Sequence, residues 1–310
     1  ATGSVTLTED GENRFDIALT VTDDSAWDGS AQTEPAQDEN GVYQIATGAQ
    51  LAWFVDRSKS AAVSGVLTAD IDLAGYPWLD VQASGKTELD GAGREIRGLN
   101  AQKGLFSQLG AEAKVHDLTL RGASAAGGSV TGYANSGAVV ENCISYVTVS
   151  GTGTKVGGIA GYANQNVVVR NCANFGDVTG SSDVGGIIGG FVGDGVKVTG
   201  CYNTGAVTAT GGSAGGVFGS SGCGVTVEHC YNTGAVSGQI SGGIGGQVKG
   251  SAHWSTGAVL APVTVYGCYN TGSAAMGAFG STDASSADIS RCYYLDILPA
   301  DEAAEALSEA

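Results

Sequence analysis

Seven cysteines are the residues whose spacing first suggests chemistry. Cys143, Cys172, Cys201 and Cys230 follow one another at intervals of 29, then Cys268 after 38 and Cys292 after 24. Regularly spaced thiols can ligate a metal, pair as disulfides or fill apolar sites. A metal centre is disfavoured, because no Cys-x-x-Cys occurs and only His116, His229 and His253 could assist. The odd count leaves at least one thiol free, and Cys223 lies off the series. Earlier units carry Leu99 and Leu118 where later ones carry Cys. A site that accepts Leu is inward and apolar, and free Cys behaves there as a small hydrophobe. Leu99, Leu118, Cys143, Cys172, Cys201, Cys230, Cys268 and Cys292 are therefore expected to form one buried column. Disulfides between neighbouring units are the alternative.

Carboxylates come next. Glycoside cleavage needs two acids about 5–10 Å apart, or a Ca²⁺ cluster with a basic residue beside it. The repeat region offers Glu141, Asp177, Asp183, Asp194, Glu228, Asp283 and Asp288. Measured from the nearest series cysteine, no two of them fall at one position in adjacent units. Asp70 and Asp72 lie at i and i+2 on one strand face and form a weak Ca²⁺ candidate with Asp80 or Asp90. A solvated edge near the cap is the favoured reading of them. The long unit between Cys230 and Cys268 carries an insertion over 247–262 with Lys249, His253 and Trp254. Loops on a rigid framework often carry recognition, and a tryptophan offers a platform for sugar or protein. These three are the speculative ligand-binding residues. No cofactor is expected.

The elements that must hold these residues repeat as well. Val167-Val-Val-Arg-Asn-Cys172, Val196-Lys-Val-Thr-Gly-Cys201, Val225-Thr-Val-Glu-His-Cys230 and Val263-Thr-Val-Tyr-Gly-Cys268 share one pattern, and Cys-Tyr-Asn-Thr-Gly occurs at 201–205, 230–234 and 268–272. A second motif alternates with it: Gly157-Gly-Ile-Ala-Gly161, Gly185-Gly-Ile-Ile-Gly189, Gly215-Gly-Val-Phe-Gly219 and Gly242-Gly-Ile-Gly-Gly246. Short β-branched runs punctuated by Gly, with a period of 29, suit one rung of a parallel β-solenoid. A propeller blade needs about 40–45 residues. The fold class is thus all-β, a right-handed parallel β-helix, the hand following from the chirality of parallel crossovers. Asn203, Asn232 and Asn270 are expected at turns in left-handed backbone, and stacked amides could bond along the axis.

Four segments follow. Residues 1–24 read as a β-hairpin, with strands at Ser4–Thr8 and Phe15–Val21, as from a preceding domain. Residues 25–94 form an N-terminal capping segment, whose helix 48–58 starts at the capping box of Thr47 and Gln50. Within it 66–73 reads as one strand. Residues 95–298 are the β-helix repeats, and 299–310 an acidic tail that begins a capping helix or frays. The sequence opens at Ala1 without a basic and apolar leader, and is read as a mature or truncated piece of something longer.

Gly supplies 52 of 310 residues, Pro only 4, and charged residues are 15%. Gly without a three-residue period excludes collagen, and 42% hydrophobic residues exclude a disordered acidic polymer. The net charge of −17 argues against nucleic acid and anionic membranes as partners. No apolar run approaches the length that a membrane-crossing helix needs.

The Gly-Gly-aliphatic-x-Gly units alternating with Val-x-x-Cys-Tyr-Asn-Thr-Gly resemble the GLUG-motif repeats of bacterial cell-surface proteins. The upstream text is similar to the segment that often precedes such repeats, at Trp27-Asp-Gly, Tyr43-Gln-Ile, Leu51-Ala-Trp-Phe54, Leu67-Thr-Ala-Asp-Ile-Asp-Leu73 and Leu89-Asp-Gly-Ala-Gly-Arg-Glu-Ile-Arg-Gly-Leu99. The likeness covers roughly residues 25–298. It implies a secreted or wall-anchored bacterial protein, a β-helix fold and a part in adhesion. Some members of the family attach the repeats to a metallopeptidase, but no His-Glu-x-x-His occurs here, so that activity does not carry over. The expected function is a non-catalytic adhesin, stalk or ligand-display module, monomeric, whose partner is a host or matrix protein or a glycan. The alternative is a carbohydrate-active enzyme, either a polysaccharide lyase or a glycosidase.

Overall fold

A computed structural model describes residues 2–9, 15–22, 26–252, 259–295 and 305–307. The chain winds as a parallel β-solenoid of about 8 turns. Successive rungs contribute to a ten-stranded sheet, a thirteen-stranded sheet and a seven-stranded sheet, while four rungs add a four-stranded sheet. Apart from two antiparallel hairpins, the strand pairs are parallel and join equivalent residues of neighbouring rungs. The ten-stranded sheet shows how the Val repeats drive this. Leu89, Val115, Val140, Val169, Val198, Val227 and Val265 stand in register, each essentially removed from water. Period-two alternation puts every second residue into the core, and stacking makes one column of them.

The cysteine column is present from Leu118 onward. The registers Thr119↔Ile144, Ile144↔Ala173, Ala173↔Tyr202, Tyr202↔Tyr231, Tyr231↔Tyr269 and Tyr269↔Tyr293 put Leu118 and the six thiols in line, all buried. The thiols are free. Leu99 is buried but stands opposite Gly122, not Leu118, because the strand Glu95–Ala101 pairs with Thr119–Ser124 through a bulge. The column therefore begins one unit later than the spacing suggested.

The asparagines also depart from expectation. Asn174, Asn203, Asn232 and Asn270 lie inside strands and are fully buried. Each of the first three donates from Nδ2 to the next one's Oδ1 at 2.8 Å. The left-handed corner falls instead on the residue before each column member: Asp117, Asn142, Asn171, Gly200, His229, Gly267 and Arg291 have φ between +52° and +63°.

The N-terminal strands run over Thr2–Glu9 and Phe15–Thr22 as an antiparallel pair. The helix Gly48–Arg57 is capped by Thr47, whose Oγ1 accepts from the Gln50 amide, while Gln50 Oε1 accepts from Ala46 N–H. It buries Leu51, Ala52, Phe54 and Val55 in the solenoid core cluster. The span 66–73 is not one strand: Ser64–Leu67 joins the ten-stranded sheet and Ile71–Asp72 the thirteen-stranded one, with a corner between them. Near the C-terminus Glu305–Leu307 pairs in parallel with Tyr293–Leu295, so this part of the tail is a strand and not a helix.

Candidate functional site

Rung length decides where the surface opens. From Val140 onward each main repeat is long enough for a fourth strand: Thr154–Gly157, Ser182–Gly185, Ser213–Gly215 and Ile240–Gly242 form the four-stranded sheet. These strands pack against the seven-stranded sheet. The two rungs before them, from Leu89 to Val115 and from Val115 to Val140, are shorter and lack that strand. The outward face of the seven-stranded sheet is left uncovered there.

A groove of about 500 Å³ occupies the gap. Its floor is one row in register, Gln82, Gln108, Tyr133 and Tyr162, a side chain per rung. The two tyrosine rings meet edge to face, with centroids 5.6 Å apart. Gly190 continues the row, and the Lys155 stem lies across it where a Cβ would crowd the lysine Cγ, Cδ and Cε. That places Lys155 Nζ over the Tyr162 ring, 5.1 Å from its centroid. Lys155 holds φ +58°, as Asp183 does one rung on at +52°, so the left-handed residue belongs to the strand itself. Lys103 stands on the groove lining beside Gly132. Among the described residues, neither lysine forms an ion pair.

A second cluster lies on the outer face of the ten-stranded sheet, where Asp90, His116, Glu141 and Arg170 stand in register with Glu88 and Lys114 beside them. His116 Nδ1 is 2.6 Å from Asp117 Oδ2 and 3.6 Å from Asp90 Oδ1, and Nε2 is 3.3 Å from Glu88 Oε1. Lys114 reaches Glu141 at 2.8 Å, and Arg170 closes on the same carboxylate. The Lys114 hydrogen bond holds the Glu141 carboxyl below its ordinary range, and that of His116 does the same for Asp117. Asp90, His116 and Asp117 offer three ligand atoms within 4.8 Å of one another, a geometry a divalent metal could use.

An aromatic stripe crosses the thirteen-stranded sheet. Tyr202, Tyr231 and Tyr269 stack at 4.8 and 4.9 Å, tilted by 2° and 3°. Tyr146 and Phe175 extend it, and the Arg121 guanidinium lies 3.8 Å over Tyr146. Near-parallel rings at this spacing spend their faces on each other. The stripe therefore stabilises the rungs and offers a ligand little but ring edges.

The sequence-derived site residues fare differently. Lys249 is exposed beside the hairpin Ser251–Ala252 with Val259–Ala261 into which the insertion folds. His253 and Trp254 lie outside the described residues. Asp70 and Asp72 do not converge on a cation site: Asp70 accepts the Glu95 amide, and Asp72 pairs with Arg97 at 3.0 Å and accepts the Ala74 amide. The repeat acids tie rungs together, Asp177 to the Ala206 amide, Asp194 to the Gly224 amide and Asp183 to the Ser213 hydroxyl. Spacing alone hid both the groove and the His116 cluster, since they arise in the shortened rungs that join the capping segment to the repeats.

No family model matches the sequence, and no curated protein matches it either. Among solved structures it is similar to a crystal structure from Bacteroides ovatus named as a candidate immunoglobulin A1 protease, with 24% identity and a TM-score of 0.61. The match covers 77% of this chain and 78% of that one. At that identity the likeness is one of fold.

Proposed function

We propose that this chain is a non-catalytic, ligand-binding solenoid, secreted or displayed on a bacterial surface, where it acts in adhesion. The observation that carries the reading is the groove. Two tyrosines, two amides and two lysines without an ion-pair partner among the described residues converge on the stretch where the rungs lose their outer strand. Amphipathic rings and fixed amides are what recognition of a hydroxyl-rich or peptide surface requires. The resemblance to GLUG-repeat surface proteins supports the location, and a Bacteroides fold neighbour named for action on immunoglobulin A1 supports a host-facing role. The chemistry of the acids supports the absence of catalysis. A general acid needs a raised pKa, whereas Glu141 and Asp117 are held down by hydrogen bonds from Lys114 and His116.

The test is adherence. Beads coated with the intact chain should bind mucin-coated and matrix-coated wells above beads coated with serum albumin, and should release no reducing ends or unsaturated uronates from polysaccharide. Turnover without adherence would overturn the reading. The enzymatic alternative would have to use the His116 cluster, and it predicts release of sugar products that His116→Ala abolishes.

A further inference from the structure

Resting on the ligand-binding reading, we propose that the groove over Gln108, Tyr133 and Tyr162 takes an extended carboxylated glycan, with Lys103 and Lys155 meeting its acid groups. Three observations converge. The floor is linear and repeats once per rung, a pitch that the aromatic stack of the same solenoid sets at 4.8 to 4.9 Å. A chain of pyranose rings has a comparable repeat, so successive sugars can meet successive rungs. Tyr133 and Tyr162 are half-buried and meet edge to face, and with the Lys155 ammonium over the Tyr162 ring they set amphipathic ring surface beside a cation. Gln82 and Gln108 precede them in the row and supply amide donors and acceptors for hydroxyls.

Charge then selects among glycans. The molecule carries −17, yet this groove presents two lysines without a carboxylate partner among the described residues. Elsewhere Lys59, Lys86, Arg97, Lys114, Arg121 and Arg170 are each paired with an acid, while Arg57, Arg94, Lys197, Lys249 and Arg291 also stand without an ion pair among the described residues but not together in a groove. Two lysines on one groove supply local positive charge that attracts carboxylates. A peptide adding as a strand is disfavoured over Tyr133 and Tyr162, whose strands are paired on both sides; the strand carrying Gln108 ends the sheet and is bridged on its outer side at Gln82. Gly190 is part of the device: a side chain there would displace the Lys155 stem from its course beside Tyr162.

Calorimetry on the intact chain tests this with oligogalacturonide and sialylated oligosaccharide, each beside its methyl-esterified form and a neutral oligosaccharide. The free acids are expected to bind, and esterification to weaken binding at least tenfold. The arm that binds tells plant or microbial uronate from host sialic acid. Lys103→Met with Lys155→Met should weaken binding at least tenfold with an unchanged melting temperature, and Tyr162→Leu should do the same. Lys197→Met, outside the groove lining, should leave binding unchanged. Equal binding of neutral and acidic glycans, binding insensitive to the double substitution, or no acidic glycan bound at millimolar concentration would each overturn the proposal. If the intact chain adheres to coated wells but binds no acidic glycan, the glycan assignment falls and the adhesive role stands. If adherence and glycan binding are both absent, both fall.

Discussion

Each column thiol contacts backbone carbonyls rather than water; Cys172 Sγ, for instance, lies 3.3 Å from the Arg170 carbonyl and 3.6 Å from that of Val140. Burial pushes Cys172 and Cys230 well above the ordinary thiol range, and it raises Cys223 as well. Since all seven thiols are buried, a reagent such as dithionitrobenzoate should leave them unmodified in the native protein and titrate seven in guanidinium. Fast native reaction of a column residue would contradict the packing. Glu141 behaves in the opposite sense. Its folded-state carboxyl titrates below the ordinary 4.5, so its bonds to Lys114 and Arg170 stabilise fully above that value and are lost as pH falls through the lower one. Glu141→Gln should cost about 1–2 kcal/mol at neutral pH by urea titration, both cations being partly solvated. It should also flatten the loss of stability expected of the wild type below about pH 4.5; parallel losses in the two proteins would refute the assignment. The apolar nature of the column was legible because Leu118 substitutes for Cys. Among the partners of Glu141, Arg170 stands one period of 29 away, whereas Lys114 and His116 were not legible, because they belong to a shorter rung that only register brings alongside.

Between elements, the two alternating motifs turn out to be one device. The second glycine of each pair, Gly158, Gly186, Gly216 and Gly243, faces the buried amide of Asn174, Asn203, Asn232 and Asn270 so closely that any Cβ would overlap it. The asparagine ladder therefore exists only where glycine makes room. One rung earlier Ser145 takes the asparagine position opposite Asn174, and Ser129 takes the place of the glycine, donating its amide to Gly158 O. The ladder stops there, with Asn174 Oδ1 and Ser129 Oγ unpartnered. Ser145→Asn alone should destabilise by about 1–3 kcal/mol through overpacking. With Ser129→Gly added, the new amide can donate to Asn174 Oδ1, and stability should return to the wild-type value or exceed it by about 1 kcal/mol. Additive losses in the double variant would show that the two positions do not face each other. In the opposite direction, Asn203→Ala removes an amide bonded to both neighbours and to Gly205 O, at an expected cost of about 2–4 kcal/mol. The pairing of the two motifs was visible in the sequence as co-occurrence. Its cause was not, since the residues meet across the rung rather than along it, and the left-handed residue proved to lie before the cysteine rather than at the asparagine.

Over the whole molecule, the period of 29 was enough to predict a stacked solenoid and to exclude blades, because identical motifs at identical spacing must meet as neighbours. What the period hid is where it breaks. The shorter rungs around Val115 and Val140 uncover the groove, and a bulge moves Leu99 out of the column. Both departures from the repeat carry more information about function than the repeat does. Outward positions on the ten-stranded sheet give a ruler along the axis. Glu88, Lys114, Val139, Val168, Lys197, Thr226, Thr264 and Asp288 follow in register, one to a rung. Electron–electron distance measurements between spin labels on encoded ketone residues, which spare the native thiols, should give backbone separations of ~34 Å for positions 88 and 288 and ~24 Å for 139 and 288, growing by about 4.8 Å per rung. A separation that did not rise with rung number would contradict the stacked column and remove the groove that depends on it.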